Sequence, residues 1–140
     1  MVPENLTAVI PTLWAGMLIG ISFIATPVKF QAPSLTLPVA LDVGCVTFHV
    51  FSRIEWLLAA MLLGAEALAR GATWRSLLAV LVAAIVLLQS VWLLPALERR
   101  AAGIIGGETL APSQAHRAYG GLEGLKLLVL LALIVASFVG

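Results

Sequence analysis

Apolar residues run through the chain in four long stretches, at about 6–28, 39–68, 74–97 and 113–139. Each provides the about 20 residues that a helix needs to cross a hydrocarbon core. Within them apolar positions follow one another without strand-like alternation, and Leu and Ala dominate, which favours helices over barrel strands. The pattern predicts an all-α chain, a single transmembrane domain over residues 1–140 folded as an integral membrane four-helix bundle. The second stretch is longer than a bilayer requires, so it is expected to tilt or protrude.

The breaks between stretches have recognisable turn chemistry. Segment 31–38 holds Pro33 and Pro38, which end one helix and open the next. Residues 70–73 predict a tight turn, with Gly71 as the helix stop and Thr73 as the N-cap. The third connection, 98–112, carries Gly103, Gly106 and Gly107 and is expected to be flexible, with Ser113 capping the last helix. No Lys or Arg precedes the first stretch and no small-x-small cleavage site follows it, so it reads as a retained span rather than a secretion signal.

Composition narrows the class further. Apolar residues make up 61% of the chain and charged residues 11%, against about 45–50% and about 25% in soluble domains. Small soluble folds leave roughly a third of their chain surface exposed. A soluble enzyme, a disordered regulator and a disulfide-stapled module are therefore excluded. The net charge of +1 gives no electrostatic footprint for nucleic acid. Cys45 is the single cysteine, so no intrachain disulfide can form.

The few charges inside the spans carry the information. Each costs about 2.5–3.5 kcal/mol at a helix centre, which favours pairing inside a bundle. His116, Tyr119, Glu123 and Lys126 form one stripe on span 4, and Asp42, His49 and Arg53 form another on span 2. Span 3 offers Gln89, and span 1 ends in Pro27, Lys29 and Phe30. Alternating chain direction places all these groups in the same half of the bilayer, with Arg53 and Lys126 deepest, and leaves the other half almost wholly apolar. The expected site is Lys29, His49, Arg53, Gln89, His116, Tyr119, Glu123 and Lys126, with the stripes of spans 2 and 4 facing each other. The same groups read equally as structural ion pairs, Lys126 with Glu123, or Arg53 with Asp42 or Glu123.

Outside this set, Glu55 points away from the Arg53 face, towards span 1, span 3 or a neighbouring subunit. Glu66 is expected to reach water, and Arg70 and Arg75 to snorkel. Trp74 reads as an interfacial anchor, and Trp14, Trp56 and Trp92 as packing or belt residues. The pairs Gly16/Gly20 and Gly120/Gly124 have the spacing that lets helices pack closely, within the bundle or in a homodimer. Arg70 and Arg75 fall on the side of the termini and Lys29, Arg99, Arg100 and Arg117 on the other. The positive-inside rule then puts both termini outside the cytoplasm of a bacterial inner membrane.

The run from Gly20 to Phe30, with Pro27 and Phe30, the segment Thr47–Phe48–His49–Val50–Phe51–Ser52–Arg53, and Gln89 with Pro95 carry a resemblance. In these stretches the chain resembles small bacterial four-span membrane proteins of unknown function, similar in layout to the transmembrane protein 205 family. The resemblance implies a membrane location and no established chemistry, and it does not extend to Lys29 or the span 4 stripe.

Three functions compete. The first is binding or transport of a small polar or anionic solute, proton-linked through the intramembrane Glu and His, motivated by the three bases Lys29, Arg53 and Lys126. The second is an accessory or assembly subunit of a larger membrane complex. The third is a membrane enzyme acting on a quinone, haem or lipid-like substrate, with His49, Tyr119 and Glu123 as acid–base groups. The first ranks highest. No cofactor or metal is expected, the alternative being a haem held by His49 and His116. The expected partners are the lipid bilayer and a second copy or a larger membrane complex, not nucleic acid.

Overall fold

The computed structural model describes residues 2–70 and 73–139. The described residues are almost wholly helical, and four rods are long and apolar enough to span a membrane. We label them α1 (Asn5–Lys29), α2 (Leu37–Ala69), α3 (Trp74–Ile105) and α4 (Gln114–Val139). They pack in a ring, α1 on α2, α2 on α3, α3 on α4 and α4 on α1. The chain is an integral membrane four-helix bundle. Its outer face carries Leu13, Leu57, Leu77, Val91 and Leu128, the surface that lipid tails require.

Inward positions recur at spacings of three and four on every helix. On α2 they are Gly44, Phe51, Glu55, Leu58, Leu62 and Ala65, and on α4 Tyr119, Glu123, Lys126, Leu130 and Leu133. On α3 the series is Ala79, Val82, Val86, Gln89 and Leu93, and on α1 it is Ile10, Trp14 and Leu18. This is the seam of near-parallel helices packing knobs into holes. Trp14, Leu62, Val82, Leu130 and Leu133 make a continuous core in the half of the bundle that holds the chain termini.

Two of the rods widen where a proline follows. A π-helical segment, Ile19–Ala25, precedes Pro27, and another, Gln89–Leu93, precedes Pro95. Proline lacks an N–H and its ring clashes with the carbonyl four residues back; a π turn relieves both. The backbone N–H of Thr26 bonds to Ile21 O and that of Leu94 to Gln89 O, each five residues back. The widened turn of α1 has a structural consequence. None of Ile19–Lys29 is buried, so that end of α1 stands away from the bundle.

The connections differ from the sequence expectation in detail. The α2 helix ends on Arg70, in the left-handed region at φ 48°. Gly71, the expected stop, lies outside the described residues, as does the side chain of Thr73. The third helix continues to Ile105 instead of ending near 97, because Leu97 and Ala101 still pack inward. The turn that remains closes through Gly106 N–H to Ala102 O and Glu108 N–H to Gly103 O, and Gly107 takes φ 96°, which favours glycine.

The small-residue pairs are not closely packed within the chain. A Cβ built on Gly16, Gly20, Gly120 or Gly124 would meet nothing within 4 Å. The crossings are set instead by the side chains of the seam.

Truncating Leu62 to Ala, at 0% exposure, should lower unfolding stability by about 2–5 kcal/mol. Leu57→Ala, on the lipid face at 61% exposure, should cost far less. Thermal or denaturant unfolding in one mild detergent compares the two.

Candidate functional site

At mid-bundle the four seams bring polar residues together. Lys126 Nζ lies 2.5 Å from Glu55 Oε1 and 2.6 Å from Glu123 Oε1 and donates to Gln89 Oε1 at 2.8 Å. Gln89 Nε2 donates to Glu123 Oε1 at 2.9 Å. From α1, Trp14 Nε1 donates to Glu55 Oε1 at 3.0 Å and the Ser22 hydroxyl to Glu123 Oε2 at 2.5 Å. All four helices therefore contribute, and Lys126 has 0% exposure. An ammonium in such a place is tolerable only with its bonds filled. Here it has two carboxylates and an amide oxygen.

The π turns supply two of these partners, since Ser22 lies within Ile19–Ala25 and Gln89 opens Gln89–Leu93. Widened turns recur at functional sites because they turn a side chain out of the regular helical register.

Towards the connections between α1 and α2 and between α3 and α4, the bundle opens into a cavity of about 700 Å³. That size falls in the range of small-molecule sites. Its wall is mostly apolar, with Phe23, Phe30, Leu41, Phe48, Leu94 and Ile104, and Ser22, Tyr119 and Glu123 also line it. Tyr119 is buried and packs edge-on to Phe48, ring centroids 5.5 Å apart. Lys29, Arg100, His116 and Arg117 face the same space. Among the described residues, Lys29, Arg100 and Arg117 take part in no ion pair. The Lys29 ammonium lies 2.6 Å from where a Cβ on Gly44 would stand, so the absence of a side chain at 44 lets the lysine lie against α2.

Several expected placements are corrected. Gln89, Glu123 and Lys126 meet as one group, and Lys29, His116 and Tyr119 line the cavity beside it. His49 and Arg53 do not join them. Both face outward with Asp42, so the polar stripe of α2 does not face that of α4. Arg53 bonds to His49 Nε2 at 3.2 Å, and His49 Nδ1 to Glu98 at 3.3 Å, rather than to Asp42 or Glu123. His49 lies on the exposed face, whereas His116, Tyr119 and Glu123 line the cavity. The residue of α2 that pairs with Lys126 is Glu55.

The other half of the bundle is not wholly apolar. Arg75 pairs with Glu66 at 3.0 Å and donates to Thr7 O and Ser137 Oγ. Glu66 does not reach water; it is 3% exposed, and its Oε2 has no hydrogen-bond partner among the described residues. Arg75 turns inward to Glu66 instead of snorkelling outward. Lys126 and Ser137, eleven residues apart on α4, separate the two polar layers by about 16 Å.

Fold and site together define a small integral membrane bundle with a buried ion cluster at mid-bundle under a cation-lined cavity. The chain belongs to the family described as a domain of unknown function, DUF4149, whose sequence profile matches residues 9–104. That stretch includes Trp14, Ser22, Glu55 and Gln89; Glu123 and Lys126 lie beyond it. No curated protein and no solved structure matches the chain.

Replacing Lys126 by Met leaves two carboxylates facing each other in the core and should cost about 3–5 kcal/mol of stability. Adding Glu55→Gln and Glu123→Gln to that variant should restore most of the loss, because the buried charge is then gone. Unfolding midpoints of the single and triple variants read the difference.

Proposed function

We propose that this membrane protein binds a small anionic amphiphile in the cavity, its apolar body against Phe23, Phe30, Phe48 and Leu94 and its acidic head among Lys29, Arg100 and Arg117. The observation that carries this reading is the set of three cations without ion-pair partners among the described residues, around a mostly apolar space. A free inorganic ion would not need the aromatic wall, and a neutral lipid would not need the cations. A purely structural role accounts for the ion cluster but leaves the cavity unexplained.

The reading is binding within one half of the membrane. Beneath Glu123 the bundle is filled by Leu18, Leu58, Val86 and Leu130, so passage to the other face would need a rearrangement. Orientation follows the free cations. With Arg75 tied to Glu66, only Arg70 stands at the end of the termini, against Lys29, Arg99, Arg100 and Arg117 at the cavity end. This supports a cytoplasmic cavity mouth in a bacterial inner membrane. A homo-oligomer contact fits best on the outward pair His49 and Arg53, since a guanidinium exposed near mid-span is costly when lipid covers it.

Cys45 lines the cavity and serves as a reporter. Decanesulfonate, an anionic single-chain amphiphile, should slow alkylation of Cys45 by a membrane-permeant maleimide, and decyltrimethylammonium should not. Lys29→Gln with Arg117→Gln should weaken the protection at least about tenfold, as expected for lost charge-assisted contacts. Equal protection by both amphiphiles, or by neither, would refute the reading.

A further inference from the structure

The buried cluster holds two acids and one base. With all three ionised it carries a formal charge of −1 at the centre of an apolar bundle, where an unbalanced charge is strongly disfavoured. Among the described residues no second cation pairs with it: Lys29, Arg100 and Arg117 stand around the cavity without an ion pair to either carboxylate. Arg75 serves Glu66 in the other layer, and Arg53 faces outward to His49.

Among the contacts of the two carboxylates, the one at Glu123 Oε2 is to a hydroxyl, a group that can accept a carboxyl proton. Glu55 Oε1 accepts from both Lys126 and Trp14. Glu123 Oε1 accepts from both Lys126 and Gln89. Glu123 Oε2 meets Ser22 Oγ, at 2.5 Å. A hydroxyl can either donate or accept, so this contact suits a carboxylate receiving the Ser22 proton or a carboxylic acid donating its own. Ser22 and Glu123 are also the members of the cluster that line the cavity, so the proton has a route in and out.

The groups facing Glu123 are few. From α2 comes Glu55, and from its own helix Lys126 and Tyr119. The contacts from α3 and α1 are the uncharged Gln89 and Ser22. Across the cavity stand Lys29, Cys45, Glu98, Arg100, His116 and Arg117.

We propose that Glu123 Oε2 is an exchangeable proton site, and that the cavity takes up its anionic ligand together with one proton. Water in the cavity delivers the proton to the Glu123 carboxylate. The new O–H turns to donate to Ser22 Oγ, and the cluster charge goes from −1 to 0. An anion entering above the floor then no longer meets a net negative charge. The coupling to ligand rests on the binding reading given above; the proton site does not.

Infrared spectroscopy of the full chain in lipid nanodiscs, titrated with pH, tests both parts. One protonated-carboxyl stretch should appear as pH falls, vanish in Glu123→Gln and persist in Glu66→Gln. In Ser22→Ala, which removes a partner rather than a charge, the band should shift in frequency. No titrating band, a band kept in Glu123→Gln, or an unshifted band in Ser22→Ala would overturn the site. Decanesulfonate keeps its charge throughout, so its own titration cannot contribute. Its affinity, read through Cys45 protection, should fall by up to about tenfold per pH unit above the midpoint of the band, the slope for one linked proton. A titrating band with pH-independent affinity would refute the coupling alone. A titrating band with no binding at any pH would refute the ligand reading and the coupling with it, leaving the proton site standing.

Discussion

A lysine ammonium held between two glutamates at the centre of an apolar bundle organises this protein. An ammonium there is tolerable only with its bonds filled: α2, α3 and α4 each turn an acceptor towards it, and α1 supplies donors to the two carboxylates. Glu55 and Lys126 sit on helices that are diagonal in the ring, so their contact passes through the bundle axis. Moving any one helix by a turn along its axis, about 5.4 Å, would cost the buried charges an ion-pair or hydrogen-bond partner. Apolar seams built from Leu, Val and Ala tolerate such slippage, because one turn presents much the same surface as the next. The ion cluster therefore fixes the register that the apolar layers leave loose, the role best attested for buried polar groups in helical assemblies.

The same layer joins packing to chemistry through two prolines. Pro27 and Pro95 each follow a π turn, and those turns carry Ser22 and Gln89 into the cluster. Beyond its π turn α1 buries nothing, and the space it leaves is walled by apolar side chains and rimmed by cations. The backbone feature that completes the cluster thus also opens the cavity above it. Floor and cavity share Ser22, Tyr119 and Glu123, so a change in the charge of the floor is felt by whatever occupies the space.

Much of this was legible in the sequence. Four apolar runs give four spans, and alternation of direction places Lys29, Gln89, Tyr119, Glu123 and Lys126 at compatible depths. The inner face of α2 was not legible in the same way. In a span apolar nearly all round, hydrophobicity does not mark the side that faces the bundle. The polar stripe Asp42, His49 and Arg53 looked inward-facing only because it was a stripe. The usable signal was subtler: Phe48, Phe51, Glu55, Leu58 and Leu62 keep three–four spacing, and Glu55 is the acid on that seam. Trp14 and Ser22 were hidden for a different reason, since neither residue type signals a buried ion partner until the carboxylate it serves is located. Glu66 and Arg75 sit near the adjoining ends of α2 and α3, where each alone resembles an interfacial charge.

The central claim is that one ammonium bridges two carboxylates from different helices. Solid-state NMR on protein with ¹⁵N-labelled lysine and ¹³C-labelled glutamate in lipid bilayers addresses it directly. Lys126 is one of only two lysines, with Lys29, so assignment through Lys29→Gln is simple. The account predicts strong dipolar coupling of Lys126 Nζ to two carboxyl carbons, those of Glu55 and Glu123, reflecting the 2.5 and 2.6 Å contacts. Coupling to Glu123 alone, its neighbour one turn away on the same helix, would show that Glu55 does not reach the axis and would contradict the account.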